Sequence, residues 1–498
     1  MAYLMGIDLG TSSLKVIVIE PQGRIVAYSS HGYEFDTPCP GFAEQDPEVW
    51  FRAMQSCLSE IFDTHIKPAD ISAVGLSGQM HGLVTLDKNG KPVRPAILHC
   101  DTRSSVQVEY IKSVLDTQLI MDTVMNPIYT GFLAISLVWV KENEPHNYDK
   151  IRHVMLPKDY LIYRLTGEYV TDYSDASATL AFDIKRTEWS QTIMDRLGLD
   201  AALFPVCKGS CDIAGYVCKA GCLSGLHKAT PVICGGGDAV MQSVGNGLSE
   251  PGCATVNIGS SGQVLFPSLH PVPNNELSTN TFCSYSKGRW FTMGAIMSAG
   301  LALKWISKNL KDTNYTSLDN HIDRIPAGSN GIVFLPYLNG ERTPHLDPDL
   351  SGAFLGLRYE HSGYHLARAV MEGVAFALFQ CYQLCLDLGL AADIFIASGG
   401  GSESTVWVQM LSDVFNKPFR ISTTKEQAAT GAAICAGVGI GIFSGVKQAC
   451  ETIVKLSEKE FQPDPERNTL YMKFYELYSE AFSSNRELLD KLTLLGRL

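Results

Sequence analysis

Short apolar runs of β character alternate along the chain with longer stretches whose apolar residues recur at helical spacing. Residues 4–8 and 14–20 are two such runs, joined by Gly10-Thr11-Ser12-Ser13, and Pro21-Gln22-Gly23 turns the chain into a third over 24–29. Connections this short predict an antiparallel meander, because a parallel crossover needs a dozen residues or more. Residues 50–66 carry helical periodicity, 71–76 and 95–98 read as strands, and a strand over 230–234 leads into a helix over 239–244. A helical tail follows over 471–494. Alternation of this kind predicts an α/β chain.

The pattern then echoes itself. Ile7-Asp8-Leu9-Gly10-Thr11-Ser12 resembles Val256-Asn257-Ile258-Gly259-Ser260-Ser261 about half a chain later, and a further apolar run follows each, Val264-Leu265-Phe266 in the second. An echo at so long a period predicts an internal duplication. The expected domains span 1–248 and 249–498, parted at the loop-like Gly247-Leu248-Ser249-Glu250-Pro251-Gly252 and facing each other across a cleft.

Composition narrows the partners. The 498 residues are 45% hydrophobic and 18% charged, which excludes disorder on the scale of the chain. The net charge of −12 comes without a dense basic tract, so nucleic acid is not an expected partner. Apolar stretches are broken by Gly, Pro or charge short of the ~20 residues that a membrane-spanning helix needs. Asp8 interrupts the apolar start before the core of a signal peptide could form. The expectation is a cytoplasmic chain without a membrane partner, its 14 cysteines reduced. Cys207, Cys211, Cys218 and Cys222, two C-x3-C pairs, admit a second reading as a zinc site, although structural zinc knuckles are spaced more tightly.

Candidate chemistry gathers where strands end in glycine. Gly10-Thr11-Ser12-Ser13 offers N–H groups and hydroxyls in a tight turn, a concavity suited to phosphate, and Asp8 at the strand end could hold Mg²⁺. Alone, the string is equally an ordinary hairpin with a capping Asp. Gly259, Ser260 and Ser261 repeat it, which favours a two-sided phosphate clamp; Asn257 replaces the carboxylate in the second copy. Gly235-Gly236-Gly237-Asp238 precedes a helix, so Asp238 is either a plain N-cap or a group placed to take a proton from an attacking hydroxyl. Three glycines exceed what a cap requires and are read as clearing the backbone for a ligand. Gln79-Met80-His81-Gly82 stands at a strand terminus, where polar groups meet ligands, yet spacing alone leaves His81 a loop histidine without a role. Asp101 and Arg103 suit polyol hydroxyls or a surface ion pair. Gly399-Gly400-Gly401-Ser402 could pass an adenine or ribose, while Trp407 and Met410 beyond it read as core.

Together these motifs resemble the FGGY family of carbohydrate kinases, of the actin-like ATPase (ribonuclease H-like) superfamily, and the resemblance runs from Gly6 to about Gly441. Gly6-Ile7-Asp8-Leu9-Gly10-Thr11 is similar to the family's first phosphate motif and Asn257-Ile258-Gly259-Ser260-Ser261-Gly262 to its second. Gly399, Gly400 and Gly401 with Ser404, Trp407, Gln409 and Met410 are similar to its adenosine-side signature. Gln79-Met80-His81-Gly82, Leu156-Pro157-Lys158-Asp159-Tyr160, Leu165-Thr166-Gly167 and Pro336-Tyr337-Leu338-Asn339-Gly340-Glu341-Arg342-Thr343-Pro344 resemble the branch that acts on ketopentoses such as D-xylulose. The resemblance implies an ATP- and Mg²⁺-dependent kinase for the terminal hydroxyl of a ketopentose. In it Asp238 is the catalytic base and Asp8 supports metal and phosphates. Met80 and His81 line the sugar site, with Gln79, Asp101 and Arg103 as further sugar contacts. Gly10, Thr11, Ser12, Ser13, Gly259, Ser260, Ser261, Gly399, Gly400 and Gly401 hold ATP. Its partners are thus a small sugar and ATP, and a homodimer is compatible with it.

Three positions depart from the pattern: Ser136 replaces a usual Lys, His99 a common Trp, and Ala239 an Asn that binds sugar in relatives. Losing one hydrogen bond costs about 1–3 kcal/mol, so another ketose, gluconate or a linear polyol stays in view as substrate. A non-enzymatic actin-like ATP-binding protein, or a sugar-binding regulator, is the competing class; retention of both Asp8 and Asp238 speaks against it.

Overall fold

In the computed structural model, which describes residues 2–312 and 314–496, the first half opens as the meander that the short turns predict. β1 (Tyr3–Leu9), β2 (Ser13–Ile19) and β3 (Ile25–Gly32) pair antiparallel in sequence order. After α1 (Pro47–Phe62), which Asp46 caps by accepting the N–H of Glu48, β4 (Ile71–Gly78) pairs parallel with the other edge of β1. Then follow α2 (Pro157–Thr166), the short α3 (Tyr173–Ser177), β5 (Pro231–Gly237) parallel to β4, and α4 (Asp238–Gly245). The sheet runs β3-β2-β1-β4-β5, with Ile213–Tyr216 as an antiparallel edge strand beyond β5. Its central strands are buried on both faces, which is why they read as near-continuous apolar runs.

The second half repeats this order. β6 (Gly252–Ile258), β7 (Gly262–Ser268) and β8 (Trp290–Ile296) form the antiparallel meander. α5 (Gly300–Leu310) and α6 (Gly363–Asp387) lead to β9 (Ala392–Ser398), which is parallel to β6. Then come α7 (Thr405–Phe415), β10 (Phe419–Ser422) parallel to β9, α8 (Gln427–Gly439) and the long α9 (Pro465–Leu495). The sheet runs β8-β7-β6-β9-β10, edged by Asn280–Cys283 and Leu456–Phe461. The echo of six residues therefore extends to topology and to side chains. Ser77 Oγ donates to Asp8 Oδ1 at 2.9 Å in one half, and Ser398 Oγ to Asn257 Oδ1 at 3.4 Å at the equivalent register of the other.

Two expectations change here. α6 is long and apolar enough to cross a membrane by length and composition, but 78% of that stretch is buried in the core of the second half, where its Arg368 pairs with Glu372. Cys207, Cys211 and Cys222 pack against three separate apolar clusters, and among the described residues no three His, Cys, Asp or Glu side chains converge as a metal group. The zinc reading is set aside.

α8 follows the second sheet in sequence yet lies on the first. Gly6 and Gly75 are direct partners on β1 and β4, and a Cβ there would stand 1.9 Å from Ala429 O and 2.0 Å from Ala432 O. On its other flank, a Cβ at Gly431 would stand 1.9 Å from Met241 O, and one at Gly245 would stand 1.9 Å from Gln427 O. The helices that follow the fifth strand of each half thus cross with their backbones in contact.

Candidate active site

Where β1 ends, the chain folds back through Gly10, whose N–H donates to Ser13 O at 2.9 Å. Tyr33 Oη donates to Gly10 O (2.7 Å) and Gln45 Nε2 to Thr11 O (2.8 Å), so the carbonyls of the turn are engaged from behind. Asp8 stands opposite Lys15 on β2, but Lys15 is drawn to Glu426 at 2.8 Å. Burial holds the Asp8 carboxyl above the ordinary carboxylate range. The second turn supports the start of α5: Ala299 N and Leu301 N donate to Ser260 O at 2.9 and 3.1 Å, and Gly300 N donates to Gly259 O at 2.8 Å.

Asp238 is the first residue of α4, with Gly237 in the cap position, so its carboxylate is not the N-cap. Oδ1 accepts the N–H of Ala239 at 2.8 Å, and the side chain keeps access to solvent. Protein crowded around that opening displaces bulk water and pushes the pKa up to about 7, with the charge of Asp8 adding to the rise.

The three glycines before it do not clear space for a ligand, as the sequence had suggested; they clear space for the protein. Gly235, at φ 63°, would put a Cβ 1.6 Å from Leu76 O, Gly236 one 2.8 Å from Ser174 Oγ, and Gly237 one 2.6 Å from Met80 Cγ. The last three residues of β5 fit between β4 and α3 only without side chains.

Sequence reasoning missed what lies behind this junction. Lys158 Nζ sits 2.6 Å from Asp159 Oδ1, 3.0 Å from Asp172 Oδ1 and 3.2 Å from Asp175 Oδ2, all four side chains fully buried. Asp172 Oδ2 accepts the N–H of Ser174 (2.8 Å) and the hydroxyl of Ser210 (3.2 Å), and Ser174 Oγ accepts the N–H of Gly237 at 3.0 Å. The cap of the Asp238 helix is thereby tied to a buried lysine. The local signal was the charged pair Lys158-Asp159 in the first turn of α2, within the Leu156–Tyr160 string that resembles the family branch.

At its end β4 runs into Gln79, which is 2% exposed; it accepts from Thr11 Oγ1 at 3.1 Å and its Nε2 lacks a partner. Met80 packs against Gly237. His81 is left-handed at φ 71°, a conformation uncommon without glycine. Its Nδ1 lies 2.8 Å from Ala178 O and its ring 4.4 Å from that of Phe132. Burial lowers its pKa to about 3, so the ring is neutral, donates from Nδ1 and keeps Nε2 as an acceptor.

Asp101 and Arg103 are corrected. Their side chains are each 1% exposed and paired with each other at 2.7 Å; Asp101 also accepts the N–H of Ala43 at 2.6 Å, and Arg103 reaches Glu44 at 2.6 Å and stacks 3.8 Å over Phe42. The pair is neither on the surface nor open to a polyol, because every strong acceptor of Asp101 is taken inside the fold. Of the departing positions, Ser136 is buried, Ala239 is half-buried, and burial holds His99 neutral with a pKa of about 4.

Two cavities flank the turns. One of about 660 Å³ is lined by Asp8, Lys15, Gln242, Gly399, Gly400 and Glu426. The other, about 870 Å³, is lined by Gly259, Ser260, Lys304, Asp319, Gly401 and Trp407, with Gly400 a wall common to both. Gly399 and Gly401 allow contact with the second turn: a Cβ on either would stand 2.4 Å from Asn257 Oδ1 or Ile258 Cγ2. Ser404 caps α7 by accepting the N–H of Trp407, whose indole is buried, and Gln409 is occupied by Asp413 at 2.8 Å. Asp8, Gly259, Ser260 and the third glycine string therefore line two cavities that share Gly400, and Asp238 is near enough to Asp8 to feel its charge, whereas Asp101 and Arg103 line neither cavity.

Residues 3–245 match the FGGY family of carbohydrate kinases, N-terminal domain, and residues 254–440 match the C-terminal domain of that family. The chain is 34% identical over 502 residues to a xylulose kinase of Lactococcus lactis, with 99% of each chain covered. It is 32% identical over 494 residues to a xylulose kinase of Staphylococcus epidermidis, again with 99% of each covered. The structure of xylulose kinase from Rhodospirillum rubrum, 26% identical, superposes with a TM-score of 0.91 over 98% of this chain and 99% of that one.

Proposed function

The chain belongs to the FGGY family of carbohydrate kinases, and from that premise we propose that it transfers the γ-phosphoryl group of ATP to the terminal hydroxyl of D-xylulose, giving D-xylulose 5-phosphate. One observation supports this: the Asp238 carboxyl stands exposed at the start of α4, with Asp8, which lines a cavity together with Gly399 and Gly400, as its charged neighbour. Asp238 orients the attacking hydroxyl and takes its proton. Proton transfer comes late in a loose phosphoryl-transfer transition state, so alignment supplies most of the rate.

In this reading the N–H groups and hydroxyls of Gly10, Thr11, Ser12 and Ser13 and of Gly259, Ser260 and Ser261 hold the phosphates, while Gly399, Gly400 and Gly401 border the adenosine. The first unit, 1–248, carries the sugar, and the second, 249–498, the nucleoside. Asp8 is a hard oxygen donor whose nearest cation, Lys15, is turned to Glu426, a setting suited to Mg²⁺ held by one carboxylate with water and phosphate oxygens. Bound there, the ion would neutralise charge on the phosphates. Met80 packs against the Asp238 junction, while His81 offers Nε2 and Gln79 its free amide to sugar hydroxyls. The reaction draws on cytoplasmic ATP and needs neither nucleic acid nor membrane.

A coupled ADP-release assay over a panel of ketoses, polyols and aldonates tests the reading. The highest kcat/KM is expected with D-xylulose; a much higher value with another acceptor would displace it.

A further inference from the structure

A third cavity, about 700 Å³, opens between the 102–130 segment of the first half and the 276–348 loops of the second, and Tyr129, Asn280, Met297, Glu341 and Arg342 line it. Two of these residues carry unspent polarity. Glu341 is 3% exposed; its Oε1 accepts the N–H groups of Met297 (2.7 Å) and Arg342 (2.8 Å), but its buried Oε2 has no partner. The Arg342 guanidinium makes no side-chain hydrogen bond or ion pair among the described residues. A buried carboxylate oxygen without a donor is costly, and such a group in a cavity wall marks a place for a ligand's hydroxyl.

The cavity adjoins the sugar-side histidine by two routes. Tyr129 packs on Phe132 with ring centroids 4.7 Å apart, and Phe132 packs on His81 at 4.4 Å. Asn280 and Phe282 are two apart on one strand and so share a face, and the Phe282 ring lies 6.0 Å from His81. The positive charge of Arg342 is also among the influences that hold His81 and His99 neutral. On the Asp238 side, Ala239 offers no hydrogen bond to a sugar.

We propose that Arg342 and Glu341 recognise the end of the acceptor remote from Asp238, the guanidinium donating to its carbonyl oxygen and Glu341 Oε2 accepting from a neighbouring hydroxyl. The inference rests on the kinase reading above. Burial raises the Glu341 carboxyl to about 7, so above that pH the two side chains sum to no net charge and the wall suits a neutral ketose; an aldonate would bring its carboxylate up to Glu341 as well as to Arg342. Both residues belong to the second half, so recognition of the far end requires contact across the cleft.

The test combines calorimetric titration of D-xylulose and ATP with turnover on D-xylulose, xylitol and D-gluconate, for the wild type and for Arg342→Met, Arg342→Lys and Glu341→Gln. Arg342→Met should weaken D-xylulose binding by about tenfold or more, the loss of one charge-assisted hydrogen bond, with ATP affinity unchanged and partial recovery in Arg342→Lys. Discrimination between D-xylulose and xylitol, which lacks the carbonyl, should shrink in parallel. Glu341→Gln should shift the xylulose-to-gluconate ratio of kcat/KM toward gluconate by about tenfold. Wild-type xylulose affinity in Arg342→Met, or an equal loss of sugar and ATP affinity in both Arg342 variants, overturns the proposal. If the wild type turns over no sugar but binds the ketose through Arg342, the kinase reading falls and this one stands. Wild-type turnover that ignores Arg342 does the reverse.

Discussion

Asp238 at an ordinary carboxylate pKa would be a weak base for a sugar alcohol; at about 7 it is better matched, and still ionised enough to act near neutrality. The expected kcat/KM for sugar therefore rises with pH through about 7 and then levels, as read from initial rates at saturating ATP. Asp238→Asn removes the proposed base while keeping an acceptor for Ala239 N. It should lower kcat by roughly 10²–10⁴-fold and leave ATP affinity, measured by titration, intact. The same carboxyl makes a stability statement. Its folded pKa lies above the unfolded value, so ionisation works against the fold as pH rises from about 4 to 7. Asp238→Asn should thus melt at a higher temperature than the wild type at pH 8, and the difference should vanish below pH 4, where both states are protonated. Equal melting temperatures at pH 8 would mean that the carboxyl is not desolvated.

At the scale of the element, the junction of β5 and α4 depends on α2 and α3. Lys158→Met would leave Asp159, Asp172 and Asp175 buried together without a cation, a loss of about 3–5 kcal/mol or more, and should show as failure to fold or a large drop in melting temperature. Ser174→Ala is gentler: Gly237 N–H loses its acceptor at a cost of about 1–3 kcal/mol. As α4 loosens at its start, kcat should fall several-fold while KM for ATP holds. These elements also show where sequence stops being informative. The meander and the duplicated turns were legible because a strand's apolar run and a Gly-Thr turn are local features. The reason for Gly235, Gly236 and Gly237 was not, since it lies in Leu76, Ser174 and Met80, which only the fold brings near. Asp101 and Arg103 read as sugar contacts or a surface pair, because spacing says nothing of the burial that pairs them inside the fold. Lys158 in a core contradicts every local expectation for lysine, and Arg342 and Glu341 acquire a shared cavity only when the halves are apposed.

Across the whole molecule, the two halves meet where α4 and α8 touch backbone to backbone, and α8 lies at the same time on Gly6 and Gly75 of the first sheet. Any change in the opening of the cleft must turn about, or slide along, this contact. Closure matters for a kinase because water competes with the sugar for the phosphoryl group. A methyl at residue 431 tests the dependence, since it would stand 1.9 Å from Met241 O, and a helix backbone cannot yield as a flexible side chain does. Gly431→Ala should cost about 1–3 kcal/mol of stability by overpacking and reset the angle between the halves. Sugar and ATP should each still bind alone, weakened only in the contacts that span the cleft: those of the sugar with Arg342 and Glu341, and those of the phosphates with both turns. The expected losses are in kcat and in coupling, read as a higher ratio of ATP hydrolysed to sugar phosphorylated. Gly445→Ala serves as the matched control: its backbone is extended at φ 172° and no atom lies within 4 Å of a Cβ there, so it should be silent. Wild-type kcat and coupling in Gly431→Ala would show that the halves do not turn about this crossing, and would move the search for the hinge to the 246–252 connection.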